Sequence, residues 1–120
     1  MKNISTFYLV FFIIFLVAFE AYATPRTWLG TTNIWNDPNN WIPTGVPGAS
    51  DNVFIPSGTL FEPTINNSMF VSCRDLTIRS GVTLIQTGGL FTVTGNLIIE
   101  ADAFFYQTGG ALGVDRIILL

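Results

Sequence analysis

The sequence predicts an all-β fold, a right-handed parallel β-helix (β-solenoid) of about three coils of 21–23 residues plus a partial fourth. Blocks of strand-forming residues recur at a nearly constant spacing, and turn-forming residues recur at the same points of each copy. After residue 23, no stretch of helical length has the three-four-seven apolar spacing of an amphipathic helix. An antiparallel sandwich or meander would also explain short strands, but it would not explain why the turn-forming residues recur at the same spacing as the strands.

Residues 1–23 predict a signal peptide with a helical apolar segment. Lys2 supplies a positive charge, and an apolar run of thirteen residues covers 7–19. Ala21 and Ala23 are the small residues that signal peptidase requires, so cleavage is expected after Ala23. A membrane span needs about 20 apolar residues, which makes an uncleaved anchor the less favoured interpretation. We therefore expect a secreted or cell-surface protein that engages the membrane only during export.

Residues 24–50 form a second segment, rich in tryptophan, asparagine and proline. Trp28, Trp35 and Trp41 lie within fourteen residues of one another. The first coil of a solenoid exposes apolar side chains and unpaired backbone, which another segment has to cover. A cap is therefore the favoured interpretation. The alternative is a ligand-binding platform on which the three rings stack against sugars.

Residues 51–120 contain the repeat. The tetrapeptide Gln-Thr-Gly-Gly at 86–89 recurs at 107–110, a spacing of 21, and coils start at about 52, 75, 96 and 116. The larger spacing between the first two starts predicts two extra residues near Pro63, and the register of 21 aligns Phe70 with Phe91. A repeat of three short strands fits one coil, with successive coils about 4.8 Å apart through parallel backbone pairing.

Stacked coils place similar residues in columns that point inward. Each such side chain, once buried, contributes about 1.5–3 kcal/mol. The predicted columns are Val53, Leu76 and Leu97; Ile55, Ile78 and Ile99; and Phe61, Leu84 and Phe105. The predicted turn glycines are Gly58, Gly81, Gly88 and Gly109. Gln86 and Gln107, if they point inward, require a hydrogen-bonded ladder.

Residues 116–120 form an apolar strand with no turn or charged cluster after it. Uncovered edge strands pair with other chains, so edge-strand association is expected here. We also expect the native chain to continue beyond Leu120.

The composition argues against several kinds of chemistry. Five basic side chains stand against eight acidic ones, and there is no histidine, for a net charge of −3. Without histidine, Ser-His-Asp, Cys-His and histidine-metal sites are excluded, and the carboxylates are scattered through the sequence. Cys73 is the only cysteine, so no internal disulfide forms. We expect no catalytic residues, metal or cofactor, and no nucleic-acid partner, because there is no basic patch.

The chain resembles the N-terminal module of large secreted bacterial surface proteins. The segments that carry the resemblance are Trp28-Leu29-Gly30, Asn36-Asp37-Pro38-Asn39-Asn40-Trp41, Gly45-Val46-Pro47 and Asp51-Asn52-Val53-Phe54-Ile55-Pro56. The resemblance covers about residues 26–100. It implies export and a parallel β-helix, since those proteins have such regions and often a sorting tail for type IX secretion.

A weaker resemblance is to the eight-glycine domain of hyaluronan-related and polycystin-related ectodomains. It is carried by Val46-Pro47, Ile55-Pro56-Ser57-Gly58, Leu76-Thr77-Ile78 and Gly109-Gly110-Ala111-Leu112-Gly113. It implies a similar extracellular β architecture.

Three functions are compatible with these features. The favoured one is a structural or adhesive surface module without a catalytic site. The alternatives are a carbohydrate-binding module that uses the three tryptophans, and the non-catalytic leader of a larger polysaccharide-degrading enzyme. The expected partner is an extracellular polysaccharide or surface glycan.

Overall fold

A computed structural model describes residues 23–120. The predicted signal peptide, apart from its last residue, lies outside the described residues. The strands are β1 Pro25–Trp28, β2 Trp41–Ile42, β3 Asn52–Ile55, β4 Thr64–Ile65, β5 Phe70–Cys73, β6 Leu76–Ile78, β7 Thr83–Gln86, β8 Leu90–Ile99, β9 Phe104–Gln107 and β10 Ala111–Leu119. One turn of 3-10 helix covers Pro38–Asn40. No helix within residues 23–120 is long and apolar enough to cross a membrane.

The strands form a β-solenoid of about three turns. The larger sheet has the order β10-β8-β6-β3-β1-β2, with β5 also paired to β8, and the smaller sheet has the order β4-β7-β9. Every strand pair from β3 to β10 is parallel, and each pairing joins one coil to the next. The predicted solenoid is confirmed, and the antiparallel alternative is wrong for these strands.

Two of the predicted columns have the expected strand register, and all their members except the half-buried Ile99 are buried. Val53 pairs with Leu76, and Leu76 pairs with Leu97. The second column repeats this register through Ile55, Ile78 and Ile99. These side chains point inward because each strand alternates between the core and solvent, and the coils keep one register.

The third column differs from the prediction at its first member. Leu84 is level with Phe105, as predicted, but Phe61 is 44% exposed. Thr64 pairs with Ile85 at a spacing of 21, so the two extra residues precede β4, and buried Pro63 takes the position level with Leu84. The spacing of 23 therefore holds between β3 and β6 but not between β4 and β7.

The alignment of Phe70 is also wrong. Phe70 pairs with Leu90 and is 83% exposed, whereas Val71 pairs with Phe91 and is buried. The turn before β5 has one more residue than the turn before β8, which changes the spacing to 20 in this stretch.

The glutamines form the ladder that an inward orientation requires. Gln86 is fully buried, and its Nε2 donates to the carbonyl oxygen of Ala111 at 2.9 Å. Its Oε1 accepts a hydrogen bond from Nε2 of Gln107 at 3.1 Å. Buried amides are stable only when their hydrogen bonds are made, so the ladder allows a polar residue inside the solenoid.

The left-handed backbone positions lie partly where they were predicted. Gly58, Gly81 and Asp102 occupy one corner with φ of 81°, 81° and 62°. In the turns that precede β8 and β10, the residues with positive φ are Gly89 and Gly110, one residue after the predicted Gly88 and Gly109. Those two positions need glycine for space instead: a Cβ on Gly109 would lie 2.5 Å from the carbonyl oxygen of Thr87, and one on Gly88 would meet the Asn67 side chain.

We predict that Leu97→Asp unfolds the domain, whereas Leu90→Asp does not. Both leucines lie on β8, but Leu97 is 1% exposed and Leu90 is 42% exposed. An unpaired carboxylate in the core costs about 5 kcal/mol or more, which is comparable to the total stability of a small domain. Circular dichroism and urea denaturation measure the outcome. Equal denaturation midpoints for the two variants would contradict the inward column.

Candidate functional site

The tryptophan segment, residues 24–50, lies against the first coil. β1 pairs in parallel with β3, which adds one strand to the larger sheet beyond that coil. β2 then pairs antiparallel with β1 and brings Trp41 opposite Trp28. The 3-10 helix between them begins at Pro38, where the Asp37 side chain accepts a hydrogen bond from the backbone N–H of Asn39 at 2.9 Å.

All three tryptophans are buried in the core. Trp41 packs edge-on against Trp28, with ring centroids 5.0 Å apart, and against Trp35, with centroids 4.8 Å apart. The contacts continue from Trp35 to Phe91 and from Phe91 to Phe105. The rings therefore form an aromatic line that joins the tryptophan segment to the interior of the coils. None of the three presents an open ring face on which a sugar could stack.

The indole nitrogens have different environments. Trp28 Nε1 donates to the carbonyl oxygen of Phe61 at 2.7 Å, and Trp41 Nε1 donates to that of Trp35 at 2.8 Å. Trp35 Nε1 is buried and has no hydrogen-bond partner among residues 23–120. Two of the three indoles thus fix the backbone of neighbouring loops, and the third contributes packing alone.

Asn40 is a buried polar centre of the tryptophan segment. Its Oδ1 accepts hydrogen bonds from the backbone N–H groups of Thr31 and Thr32, at 2.9 and 3.0 Å. Its Nδ2 donates to the carbonyl oxygen of Ile34 at 2.9 Å. These bonds satisfy backbone groups of a loop that has no regular secondary structure, so the Asn40 amide is used in folding.

Arg26 and Asp51 fix the loop that follows β2. Arg26 Nε lies 3.0 Å from Asp51 Oδ2, and its Nη1 donates to the carbonyl oxygens of Pro43 and Gly45 at 2.8 and 3.2 Å. Burial alone raises the pKa of Asp51, but hydrogen bonds from the Gly48 N–H and from Arg26, with the Arg26 charge, outweigh it and lower the pKa below its usual value. Sequence reasoning missed this pair because twenty-five positions separate its members.

Further charged side chains connect one coil to the next. Arg79 Nη1 lies 3.0 Å from Glu100 Oε1, and Asp75 Oδ1 accepts a hydrogen bond from the N–H of Asn96 at 2.8 Å.

Burial, with the charges of Asp75 and Asp51, raises the pKa of the Cys73 thiol to about 12. Within residues 23–120, no group of three or more acidic, cysteine or histidine side chains is placed to hold a metal ion.

The smaller sheet carries an exposed patch on its outer side. Leu84 and Gln86 point inward, so the alternate residues of β7 and β9 point outward. Phe104 is 63% exposed and Tyr106 is 59% exposed. The aromatic face, as we name this patch, consists of Thr64, Thr83, Ile85, Phe104 and Tyr106. Sequence reasoning missed this face, although the alternation of residues around Phe105 is a signal that indicates it.

These features define a small β-solenoid domain with a filled interior and an exposed aromatic face. The chain belongs to the family described as domain of unknown function DUF8693, whose family model matches residues 27–111. No curated protein and no solved structure is significantly similar to this chain. The matched range begins in β1 and ends at the first residue of β10, so it includes the three tryptophans and the whole aromatic face.

We predict that phenylalanine substitutions separate ring packing from hydrogen bonding in the tryptophan segment. Trp28→Phe and Trp41→Phe each remove the indole donor of a carbonyl, whereas Trp35→Phe removes an N–H without a partner. The first two should therefore lower the free energy of unfolding by about 1–3 kcal/mol more than the third, which controls for lost ring volume. Urea denaturation measures the three losses, and equal losses would contradict these assignments.

We predict an acid-sensitive contribution from Asp51. Its pKa is lower in the folded protein than the usual 3.8, so the unfolded chain binds the proton more readily. The stabilisation is complete above the unfolded pKa and is lost as pH falls through the folded pKa. Asp51→Asn and Arg26→Met should both be less stable than the parent at pH 7, with a smaller difference at pH 3. Denaturation at both pH values tests this, and an unchanged difference would contradict it.

Proposed function

We propose that this protein is an exported structural or adhesive surface module with no catalytic site of its own. The observation that carries the proposal is the aromatic face, an uncharged patch held outward on a sheet whose inner residues Leu84 and Gln86 are buried in the core. The carboxylates of Asp51 and Glu100 support the same interpretation, because both hold neighbouring segments together.

The proposed architecture is a right-handed β-helix with a tryptophan cap. Right-handed connections are strongly preferred between parallel strands of one sheet, which supports that hand for the coils. The cap is supported by the position of β1 beside β3 and by the aromatic line from Trp28 and Trp41 into the coils. A covered first coil prevents strand pairing with other molecules at that end.

The proposed export depends on residues 1–23. Their charge, apolar run and small residues before Thr24 are the three parts of a cleavable signal peptide. The resemblance to secreted bacterial surface proteins supports the same location.

The test is carried out on the full chain in the organism that encodes it. The exported protein should begin at Thr24 by intact mass, and protease added to intact cells should release it. Ala23→Leu, which places a bulky side chain before the cleavage site, should leave the leader attached, whereas Ala49→Leu should be processed normally. Deletion of the gene should reduce attachment of the cells to surfaces. A cytoplasmic product that begins at Met1 would refute the proposed export, and unchanged attachment after deletion would refute the adhesive role.

A further inference from the structure

We propose that the aromatic face binds a neutral polysaccharide whose sugar rings stack on Phe104 and Tyr106. This inference rests on the proposed adhesive function and names the ligand class. The two rings lie on one strand, two residues apart, so their Cα atoms are about 7 Å from each other on the same side of the sheet. Both rings are more than half exposed, although an aromatic ring of this size is normally buried.

The charge of the face indicates a neutral ligand. β4, β7 and β9 contain no acidic or basic residue, and the nearest ones in sequence are Glu62 and Asp102, two positions before β4 and β9 respectively. A polyanion would find no cation on these strands, and a basic protein would find no row of carboxylates. An uncharged ligand loses no ion hydration when it binds here.

The size of the face also limits its partner. Three strands about 4.8 Å apart, with about four residues each, present an area of the order of 200 Å². A stable protein interface buries about 800 Å² on each partner, so this face is too small to hold a second copy of the chain by itself. It is large enough for one or two sugar rings.

The side chains of the face match both the apolar C–H face and the hydroxyl groups of a sugar. The C–H face of a pyranose ring packs on the rings of Phe104 and Tyr106, while the Tyr106 hydroxyl remains free to hydrogen-bond. Thr83 lies beside Phe104, and Thr64 lies beside Ile85, so two further hydroxyls stand next to the apolar surface. Each hydroxyl both donates and accepts, as sugar hydroxyls do.

The position of the rings is fixed before a ligand arrives. The residue between them, Phe105, is half-buried and packs against the core, and Gln107 on the same strand bonds to Gln86. Little backbone freedom remains to be lost on binding, so weak stacking contacts can contribute to affinity.

The experiment measures how much of the exported protein is removed from solution by suspended polysaccharides. The probes are two neutral polymers, cellulose and curdlan, and one anionic polymer, alginate gel. We expect binding to at least one neutral polymer, and binding about tenfold weaker in the Phe104→Ala, Tyr106→Ala double variant. Phe70→Ala is the matched control, because Phe70 is an exposed phenylalanine on β5 of the other sheet. It should bind as the parent does, and circular dichroism should show all variants folded.

Each other outcome overturns the inference. Absence of binding to both neutral polymers, stronger binding to alginate, or equal loss in the Phe70→Ala variant would each show that the aromatic face is not a neutral-glycan site. Concentration-dependent self-association that disappears in the double variant would show that a second copy occupies the face. Surface exposure and cell attachment are measured separately, so the adhesive function can stand while the ligand class fails.

Discussion

Parallel backbone pairing between successive coils is the constraint from which the other features of this domain follow. Once Val53 pairs with Leu76 and Leu76 with Leu97, each residue of these strands is tied to one position of the neighbouring coil. A polar residue can then enter the core only where its hydrogen bonds are made, as those of Gln86 are by Ala111 and Gln107. The same register places Phe104 beside Thr83 on the outer side.

The tryptophan segment and the coils share one core. The aromatic line runs from Trp28 through Trp41 and Trp35 to the rings inside the coils, so the two parts of the chain are joined by packing as well as by strand pairing. The Arg26–Asp51 pair fixes the loop between them. Function in this protein therefore has to be sought on its outer surfaces, because the residues most suggestive of a binding site in the sequence are inside.

The sequence predicted the solenoid and its first two columns because the repeat is a direct expression of the coil. It failed where loop length varies: the extra residues before β4 moved Phe61 out of its column and placed Pro63 there. It also could not distinguish a buried tryptophan from an exposed one, since both uses require the same residue. Burial of Trp35 depends on contacts with Phe91, fifty-six positions away in the printed sequence.

The distribution of the tryptophans gives the molecule two separate optical signals. All three stand in residues 24–50 and none in the coils, so their fluorescence reports on the tryptophan segment, whereas far-ultraviolet dichroism is dominated by the strands of the coils. During denaturation, coincident transitions of the two signals would mean that the chain opens as one cooperative body. A shift of the tryptophan emission before the change in dichroism would instead reveal an intermediate in which the coils remain folded while the indole rings are exposed to water.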